Sequence, residues 1–236
     1  MSISTVLLAY QEAENLKILI PKIKKQLDRI GEDYEIVVVD TEQKTDDTDK
    51  VCEEYQVKYV NQKYPGFGGA FRTGIEYAQM ELFLILDSDG SHDPEYIPQL
   101  YQTFRSGADL VIGSRYVKGG KTNDSILSVV MSKMLNTVFR LMLGIRAADI
   151  STDYRLYRTQ QLKNISLQCE NYDVLQEVLL QLKLQKPDFC IKEVPITFQK
   201  RIYGESKRQL LRFVISYIKT LFRLIRIKIS VKAGKS

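Results

Sequence analysis

The sequence has few of the features that disulfide-rich, secreted or membrane-spanning proteins need. Its three cysteines, Cys52, Cys169 and Cys190, lie far apart and include no C-x-x-C pair. We therefore expect neither a disulfide framework nor a cysteine zinc site, and we favour a reducing compartment. The first residues, MSISTVLLAYQEAEN, lack a basic segment and soon reach glutamate, which is atypical of a secretory signal. No run of about 18 uncharged apolar residues occurs, so we predict no transmembrane helix.

Histidine is also scarce, and no dinucleotide fingerprint is complete. His92 is the only histidine, and we interpret it as a packed or helix-capping neighbour rather than a catalytic base. The glycine-rich segment GFGGAFRTG starts several residues past its predicted strand and does not complete G-x-G-x-x-G. This spacing argues against a nicotinamide enzyme. The glycines would still let the backbone approach a ligand closely.

The 236 residues are enough for one large domain with a sizeable core. In the first half, short apolar runs alternate with segments whose apolar residues recur at helical spacing. This pattern predicts an α/β fold, with a mostly parallel central sheet and helices on both faces. The predicted strands are 3–9, 34–39, 57–60, 82–86, 109–113 and 190–198, and the predicted helices are 16–30, 46–55, 74–80, 96–104, 126–143 and 172–185.

Two carboxylates follow directly on one of these strands. The apolar run LFLIL ends at Asp87, and Asp89 comes two positions later. Ligands of parallel sheets bind beyond the carboxyl ends of the strands, so the pair would lie where a substrate docks. Like charges so close are best tolerated beside a divalent cation, and oxygen ligands suit Mg²⁺ or Mn²⁺. The alternative is a solvated turn whose acidic residues cap the helix that SHDPE begins.

Four longer motifs then follow in an order typical of one family. They are LDSDGSHDPEYIP at 86–98, GSRYVKGG at 113–120, DISTDYRLYR at 149–158 and EVPITFQKRIYGESK at 193–207. Over nearly its whole length the sequence resembles the dolichol-phosphate mannose synthase-like, polyprenyl-phosphate members of glycosyltransferase family 2. The resemblance implies an A-type glycosyltransferase fold, a nucleotide-sugar donor and inverting transfer to a lipid phosphate.

The resemblance also implies roles for individual residues. It places Asp87, Asp89 and Ser91 at a divalent cation, Mg²⁺ or Mn²⁺, and gives catalytic roles to Asp89, Arg115 and Arg201. The residues expected at the nucleotide sugar are Ala9, Tyr10, Glu12, Asp40, Gly69, Asp87 and Ser88. The residues expected at the lipid phosphate are Arg115, Arg201, Ser206 and Lys207.

The implied chemistry depends on charge more than on proton transfer. A phosphate monoester loses its second proton at about pH 6, so a polyprenyl phosphate is largely a dianion and already a nucleophile in the cytosol. A general base is therefore not required in principle. The donor diphosphate is also negative, so the site must supply positive charge to both anions. We expect Lys133 to join the arginines in neutralising the lipid phosphate.

Two departures from the family pattern leave the donor open. Relatives usually carry D-D-G-S-x-D-G-T after the second strand, whereas this sequence has DTEQKTDDT at 40–48. Asp153 occupies a position where small residues are common. GDP-mannose is the leading donor, and a UDP-sugar carrying glucose or N-acetylglucosamine is the alternative. A nucleotide-sugar-binding protein that has lost turnover is the rival from another functional class.

The C-terminal tail KRQLLRFVISYIKTLFRLIRIKI combines basic and apolar residues. We divide the chain into a glycosyltransferase domain, 1–205, and a basic amphipathic segment, 206–236. Its residues 207–229 are typical of a helix lying in a membrane interface. The basic residues expected to form one stripe of that helix are Arg208, Arg212, Lys219, Arg223 and Arg226.

The helix predicted at 126–143 is a second candidate for membrane contact. It is long and apolar but carries Lys133 and Arg140. For both helices the alternative is packing onto the domain or into an oligomer interface. We expect a peripheral protein on the cytoplasmic face of a membrane and no nucleic-acid partner. A second copy of the chain or a small membrane subunit is a further candidate partner.

Overall fold

The computed structural model describes residues 1–203 and 210–233. Its strands are β1 (Ile3–Leu8), β2 (Tyr34–Asp40), β3 (Lys58–Asn61), β4 (Leu82–Asp87), β5 (Leu110–Ser114), β6 (Lys121–Thr122), β7 (Arg155–Arg158), β8 (Ile191–Pro195) and β9 (Thr197–Phe198). Its helices are α1 (Ala13–Ile30), α2 (Thr48–Glu54), α3 (Gly66–Tyr77), α4 (Ile97–Arg105), α5 (Ile126–Leu143), α6 (Thr159–Lys163), α7 (Val174–Gln185) and α8 (Leu210–Ala233).

The central sheet is mostly parallel, as predicted. Within the described residues it has the order β3-β2-β1-β4-β7-β5-β8, and β6 pairs with β9 in a separate ribbon. β7 is antiparallel to both of its neighbours, β4 and β5. The carboxyl ends of the parallel strands therefore meet the amino end of β7 at one edge of the sheet. Sequence segments that are far apart along the chain converge at that edge.

Helices cover both faces of the sheet, which confirms the predicted α/β architecture. Successive strand residues point to opposite faces. Ile36 and Val38 of β2 pack with α1, α2 and α4, whereas Val37 and Val39 pack with the core that includes α3, α5, α7 and α8. Burial on both faces explains why these strands are continuous apolar runs rather than alternating ones.

The glycine-rich segment is helical, so the prediction that a helix begins only at residue 74 is wrong. α3 starts at Gly66, and Gly68 donates its backbone N–H to the Glu170 carbonyl oxygen at 2.8 Å. A Cβ atom on Gly68 would lie only 2.0 Å from the Cys169 carbonyl oxygen. The glycines therefore allow a helix to pack directly against the 169–170 backbone, a contact that local sequence signals cannot reveal.

The C-terminal helix shares the main core. Tyr217 and Leu224 of α8 are buried there, and the Tyr217 ring packs edge-on against Phe139 of α5. Arg223 contacts the Cys169 sulfur and lies 3.9 Å from the Glu177 carboxylate, so this residue of the predicted basic stripe is partly buried against the domain. Residues 204–209, which include Ser206, Lys207 and Arg208, lie outside the described residues, and the domain boundary at 205 stays a prediction.

α5 is largely exposed although it is apolar. Ile126 is 84% exposed and Leu141 is 77% exposed. In the part of the chain that the structure describes, α5 alone has the length and composition to cross a membrane. The prediction of no transmembrane helix required an uncharged run, which Lys133 and Arg140 interrupt. That prediction is therefore not confirmed.

Candidate active site

A cavity of about 840 Å³ lies at the strand-end edge of the sheet. Eight of the residues predicted for the site line it: Ala9, Tyr10, Glu12, Asp87, Ser88, Asp89, Ser91 and Arg201. They come from the ends of β1 and β4 and from the segment that follows β9. The parallel strands thus bring together residues that are separated by up to about 190 positions in the chain.

The acidic pair converges on one serine. The Ser91 hydroxyl lies 2.6 Å from Asp89 Oδ1 and 3.1 Å from Asp87 Oδ2, and the Ser91 backbone N–H donates to Asp89 Oδ1 at 2.9 Å. Gly90 permits this tight turn with a φ of +81°. Two carboxylates and a hydroxyl that point at one place are a suitable oxygen donor set for Mg²⁺ or Mn²⁺.

The charge of the cavity also suits a divalent cation. Four carboxylates line it, those of Glu12, Asp87, Asp89 and Asp124, against the two cationic side chains of Lys200 and Arg201. The formal charge of −2 is one that a single divalent cation would balance. A diphosphate could then enter a cavity that would otherwise repel it.

Arg201 bridges two acids of the cavity. Its Nη2 atom lies 2.6 Å from Glu12 Oε1 and 3.6 Å from Asp89 Oδ2. Asn15 donates to the other Glu12 oxygen. Burial raises the pKa of the Glu12 carboxyl, although the hydrogen bond from Asn15 and the charge of Arg201 oppose the rise. Glu12 thus holds the guanidinium at a place that is also close to Asp89.

The segment carrying Arg201 lies across the acidic turn. Gln199 donates its backbone N–H to the Ser91 carbonyl oxygen at 2.9 Å, and Ile202 donates to the Asp89 carbonyl oxygen at 3.0 Å. Tyr203 N–H donates to the Asn15 side chain at 3.0 Å. These bonds place residues 199–203, the strap, over the acidic pair.

His92 is packed, as expected, but it lies next to the acidic pair. Its Nδ1 atom accepts the Asp87 backbone N–H at 3.1 Å and lies 3.3 Å from Asp87 Oδ2 and 3.5 Å from Asp153 Oδ1. Burial lowers the pKa of His92 against the opposing charges of Asp87 and Asp89, so the neutral ring is favoured. Potential ligand atoms of Asp87, His92 and Asp153 lie within 4.8 Å of one another, which makes them a second group that could hold a cation.

Arg115 lies close to the site, but its guanidinium is hydrogen-bonded to the Asp149 carboxylate. Its Nε and Nη2 atoms bond Asp149 at 2.7 and 2.9 Å, and Nη1 lies 3.6 Å from Asp124. Its guanidinium also lies over the ring of Phe198, a cavity residue, at 5.4 Å. Its contacts to the cavity are thus made through Asp124 and Phe198.

Three other predicted residues do not line the cavity. Asp40 is buried and accepts hydrogen bonds from Thr41 N–H and the Tyr59 hydroxyl, and burial raises the pKa of its carboxyl. Gly69 is buried where a Cβ would lie 2.1 Å from the Tyr64 carbonyl oxygen. Lys133 is exposed on α5, with its ammonium 5.4 Å from the Tyr116 ring centre.

Several cavity residues were not predicted from the sequence. Lys200 lines the cavity beside Arg201, and the QKR string could have indicated a second cation there. Phe67 and Tyr172 stack with ring centres 4.2 Å apart and form an aromatic part of the wall. They are about a hundred positions apart, so no local signal predicts their contact.

A second cavity of about 660 Å³ adjoins the first. It is lined by the start of α1 and by Lys44, Thr45, Asp46 and Asp47. These four residues belong to the unusual loop, residues 40–48, which departs from the family pattern. Glu12 and Arg201 line both cavities, so their ion pair lies between them. The Asp46 carboxylate accepts the N–H groups of Ala13 and Thr48, which fixes this loop to the beginnings of α1 and α2.

Known proteins match this chain in sequence and in fold. The model of the family described as "Glycosyl transferase family 2" matches residues 4–166. The "Dolichol-phosphate mannosyltransferase" of Pyrococcus furiosus is 33% identical over 234 residues, which are 96% of this chain and 64% of that protein. The "Polyprenol monophosphomannose synthase" of Mycolicibacterium smegmatis is 32% identical over 84% of this chain and 77% of that protein. This chain thus spans slightly less than two thirds of the first relative.

Solved structures share the fold at lower identity. A crystal structure of glucosyl-3-phosphoglycerate synthase from Mycobacterium tuberculosis, in complex with Mn²⁺, UDP and phosphoglyceric acid, superposes with a TM-score of 0.74 at 20% identity. The match covers 95% of this chain and 78% of that one. Together with the family match, it confirms the expected A-type glycosyltransferase fold.

Proposed function

The chain belongs to glycosyl transferase family 2, and from that premise we propose that it transfers a sugar from a nucleotide diphosphate to a polyprenyl phosphate. GDP-mannose is the leading donor, and mannose is the sugar transferred. The transfer inverts the configuration at the anomeric carbon and takes place at the cytoplasmic face of a membrane. One observation carries the proposal: Asp87, Asp89 and Ser91 converge in a strand-end cavity that Arg201 also lines. The two relatives named for mannosyl transfer to lipid phosphates support the acceptor class.

The acidic pair would serve the donor. A divalent cation bound to Asp87 and Asp89 would neutralise the diphosphate as it leaves the sugar. Ser91 holds both carboxylates in a converged arrangement before any ligand arrives. Tyr10, Glu12, Ala9 and Ser88 line the same cavity and would contact the nucleotide sugar. Such preorganisation lowers the barrier because the two carboxylates do not need to be rearranged during the reaction.

The cationic strap would serve the acceptor. The lipid phosphate is a dianion and needs no general base, and His92 could not act as one in this structure because Asp87 N–H and Thr152 engage its two nitrogens. Arg201 and Lys200 line the cavity and would neutralise the incoming phosphate. Arg201 would exchange Glu12 and Asp89 for the phosphate oxygens, since a guanidinium matches both kinds of oxygen pair. Lys133 on α5 would add positive charge along the approach. Ser206 and Lys207 lie outside the described residues and stay predicted contacts of the lipid phosphate.

A UDP-sugar is the second candidate donor, and the loop after β2 is the reason to keep it. Thr41 lines the cavity where relatives carry an aspartate, and Asp40 is turned toward Thr41 and Tyr59. A loop that contacts the base or ribose differently could select a different nucleotide. Glucose and N-acetylglucosamine are the sugars that we would test first.

Exposed apolar side chains on two helices favour contact with a lipid surface. On α5 they include Ile126, Leu127 and Leu141, and on α8 they include Phe222 and Ile229. Exposed basic residues accompany them, among them Lys133, Arg140, Lys219 and Arg226. Apolar contact combined with attraction to anionic lipids is the usual basis of interfacial binding. We propose this surface as the membrane contact of a peripheral enzyme.

A radiolabelled transfer assay tests the function. The protein is incubated with polyprenyl phosphate, Mg²⁺ or Mn²⁺, and each of GDP-mannose, UDP-glucose and UDP-N-acetylglucosamine. Labelled lipid is expected from GDP-mannose. Labelled lipid from a UDP-sugar alone would replace the donor assignment, and none from any donor would favour a binding protein without turnover.

Asp89→Asn tests the cation site, with Asp93→Asn as its matched control. Asp89 converges with Asp87, whereas the Asp93 side chain in the same loop caps the next turn through Glu95 N–H and does not line the cavity. Removing the charge at 89 should abolish transfer and leave the far-ultraviolet circular dichroism unchanged. The same change at 93 should retain most of the activity. Undiminished transfer by Asp89→Asn, or by the wild type in excess chelator, would refute the metal assignment.

A further inference from the structure

We propose that His92 is a positioning residue for the cation site: it fixes the main chain of Asp87, from which the carboxylate projects, so that the acidic pair converges on Ser91. The proposal rests on the proposed function for its biological purpose, because the cation is expected to serve sugar transfer. Its physical content concerns only the protein and the cation. It can therefore be tested without donor or acceptor.

The imidazole ring is itself held on every side that the structure describes. His92 is 1% exposed. Its ring lies 5.0 Å from the Tyr154 ring centre and 5.1 Å from that of Phe198, the second contact being edge-on. Its Nε2 atom lies 3.2 Å from the Thr152 hydroxyl oxygen. A ring confined in this way can act as a rigid support for whatever its other nitrogen contacts.

The other nitrogen contacts Asp87. A backbone N–H can only donate, so Nδ1 accepts from Asp87 N–H and the ring proton lies on Nε2, where it donates to Thr152. Asp87 is the last residue of β4, and the register with β7 ends two residues earlier, at Ile85. His92 thus provides an acceptor for the last N–H group of β4, at the start of the turn that carries Asp89.

The ring also packs edge-on against Phe198, the residue before the strap, and the backbone joins the same two segments. His92 forms an isolated antiparallel bridge with Phe198, and Gln199 N–H donates to the Ser91 carbonyl oxygen at 2.9 Å. The acidic turn and the segment carrying Arg201 are therefore joined at His92. A change that loosens the ring would therefore disturb the main chain of Asp87 and the contact with Phe198.

His92 could instead be a direct ligand, since it lies in the group with Asp87 and Asp153. The hydrogen bond from Asp87 N–H argues against this, because that bond occupies the lone pair on Nδ1 that a cation would need. The proton on Nε2 removes the other lone pair. The positioning role therefore predicts that a bound cation has oxygen ligands only.

Two substitutions separate hydrogen bonding from packing. His92→Phe keeps a ring between Tyr154 and Phe198 but removes both nitrogens. His92→Asn shortens the side chain but keeps an oxygen where Nδ1 accepts from Asp87 N–H. We would titrate the full chain with Mn²⁺ and measure the free ion by electron paramagnetic resonance. Removal of a supporting partner weakens metal binding roughly 10- to 100-fold, so we expect that loss for His92→Phe and a loss within about threefold for His92→Asn.

The opposite ranking would overturn the proposal. If His92→Phe binds Mn²⁺ like the wild type and His92→Asn does not, the ring acts by packing alone. Nitrogen-14 coupling in the spin-echo spectrum of bound Mn²⁺ would also overturn it, because His92 would then be a ligand. Should His92→Phe fail to fold, Thr152→Val provides a second test, because it removes the hydroxyl that contacts Nε2 of His92. Weaker Mn²⁺ binding by that variant supports the proposal, and unchanged binding contradicts it.

Failure of the proposed function gives a different pattern. A wild-type protein that binds Mn²⁺ but transfers no sugar would leave the ranking of the two variants intact. A wild type that transfers sugar, with His92→Phe equal to it in Mn²⁺ affinity, would remove the positioning role and leave the function. The Mn²⁺ concentration for half-maximal transfer should follow the binding titration and rise in His92→Phe.

Discussion

The Arg115 guanidinium and the Asp149 carboxylate are joined by two hydrogen bonds, Nε to Oδ2 at 2.7 Å and Nη2 to Oδ1 at 2.9 Å. Asp149 is fully buried, and the Arg115 and Ser151 N–H groups also donate to it. The pair connects the end of β5 with the segment that precedes β7. The role of Arg115 as a phosphate ligand stays a prediction. Its pairing with Asp149 should also contribute to the stability of the fold, and that contribution can be measured separately.

Asp149→Ala should strongly destabilise the protein. Removing one member of a buried pair leaves the other charge unpaired, which costs about 3–5 kcal/mol. The exposed pair of Arg158 and Glu81 is the control, because a surface ion pair contributes at most about 1 kcal/mol and Glu81→Ala should change little. Urea unfolding followed by circular dichroism measures both. Equal effects of the two substitutions would show that the buried pair contributes no more than a surface one.

The same pair predicts a pH dependence of stability. Burial raises the pKa of the Asp149 carboxyl, but the charge and hydrogen bonds of Arg115 outweigh it, so the folded pKa lies below the ordinary 3.8. In the window between the folded and unfolded values, the unfolded chain binds more protons. The contribution of Asp149 is therefore complete above that ordinary value and disappears as the pH falls through the folded value.

Comparison with Asp149→Asn isolates this contribution from other carboxyls. Glu12 and Asp40 have raised pKa values, chiefly through burial, and shift stability in the opposite direction. Subtracting the unfolding free energy of the variant removes their effect. The difference between wild type and variant should be constant near neutral pH and shrink on acidification below the ordinary carboxyl pKa. A difference independent of pH would contradict the assignment.

The sequence predicts much of the sheet and the acidic pair because their signals are local. An apolar run that ends in Asp87 and Asp89 places both at the rim of a parallel sheet, whatever the rest of the chain does. The predicted helix start within GFGGAFRTG is wrong for the opposite reason. Its glycines serve a contact with residues 169–170, which lie a hundred positions away.

The contacts that surround His92 beside the acidic pair are also made by residues far apart in the sequence. β7 inserts antiparallel between β4 and β5, so Thr152 and Asp153 meet His92 at the strand-end edge. A lone histidine has no periodicity or spacing that would predict this contact. The DYRLYR motif indicates that the segment matters in the family, but nothing within it reveals which strands it joins. Long-range pairing, rather than propensity, decides what lies beside the acidic pair.

Arg201→Gln should impair transfer more than binding of the donor. The substitution removes a cation that lines the cavity while keeping a polar side chain beside Glu12 and Asp89. Loss of a charge-stabilising donor typically slows a reaction roughly 100- to 1,000-fold, and we expect kcat to fall by that order. Lys192→Gln is the control, because Lys192 donates to Ser106 outside the cavity. Equal kinetics of the two variants would remove Arg201 from the reaction.

Polar substitutions on α5 should weaken membrane binding without reducing stability. Ile126, Leu127 and Leu141 are exposed, so replacing them with serine removes no core contact. Each large apolar side chain gains about 1.5–3 kcal/mol when it leaves water, so the triple variant should sediment far less with anionic vesicles. Tyr64→Ser, at an exposed aromatic residue outside α5 and α8, should leave sedimentation unchanged. Undiminished sedimentation of the triple variant would exclude α5 as the contact.

Asp46→Ala tests whether the unusual loop has a structural purpose. Glu12, the N-cap residue of α1, makes no capping bond to that helix, and Asp46 accepts from Ala13 N–H at 3.0 Å instead. The other Asp46 oxygen accepts from Thr48 N–H at 3.1 Å, so one carboxylate caps two helices. Loss of a cap costs about 0.5–2 kcal/mol, and we expect at least that loss of stability.

Asp47→Ala is the matched control, since Asp47 is exposed and pairs with Lys50 on the surface. Its stability should equal that of the wild type. Because Ala13 directly follows Glu12, freeing the start of α1 should also raise the KM for the nucleotide sugar in Asp46→Ala. Asp46→Asn keeps an oxygen for one of the two helices, so its stability should lie between that of Asp46→Ala and that of the wild type. If Asp46→Ala matches Asp47→Ala in both stability and KM, the longer loop only connects β2 to α2, and its effect on donor choice must come from Thr41.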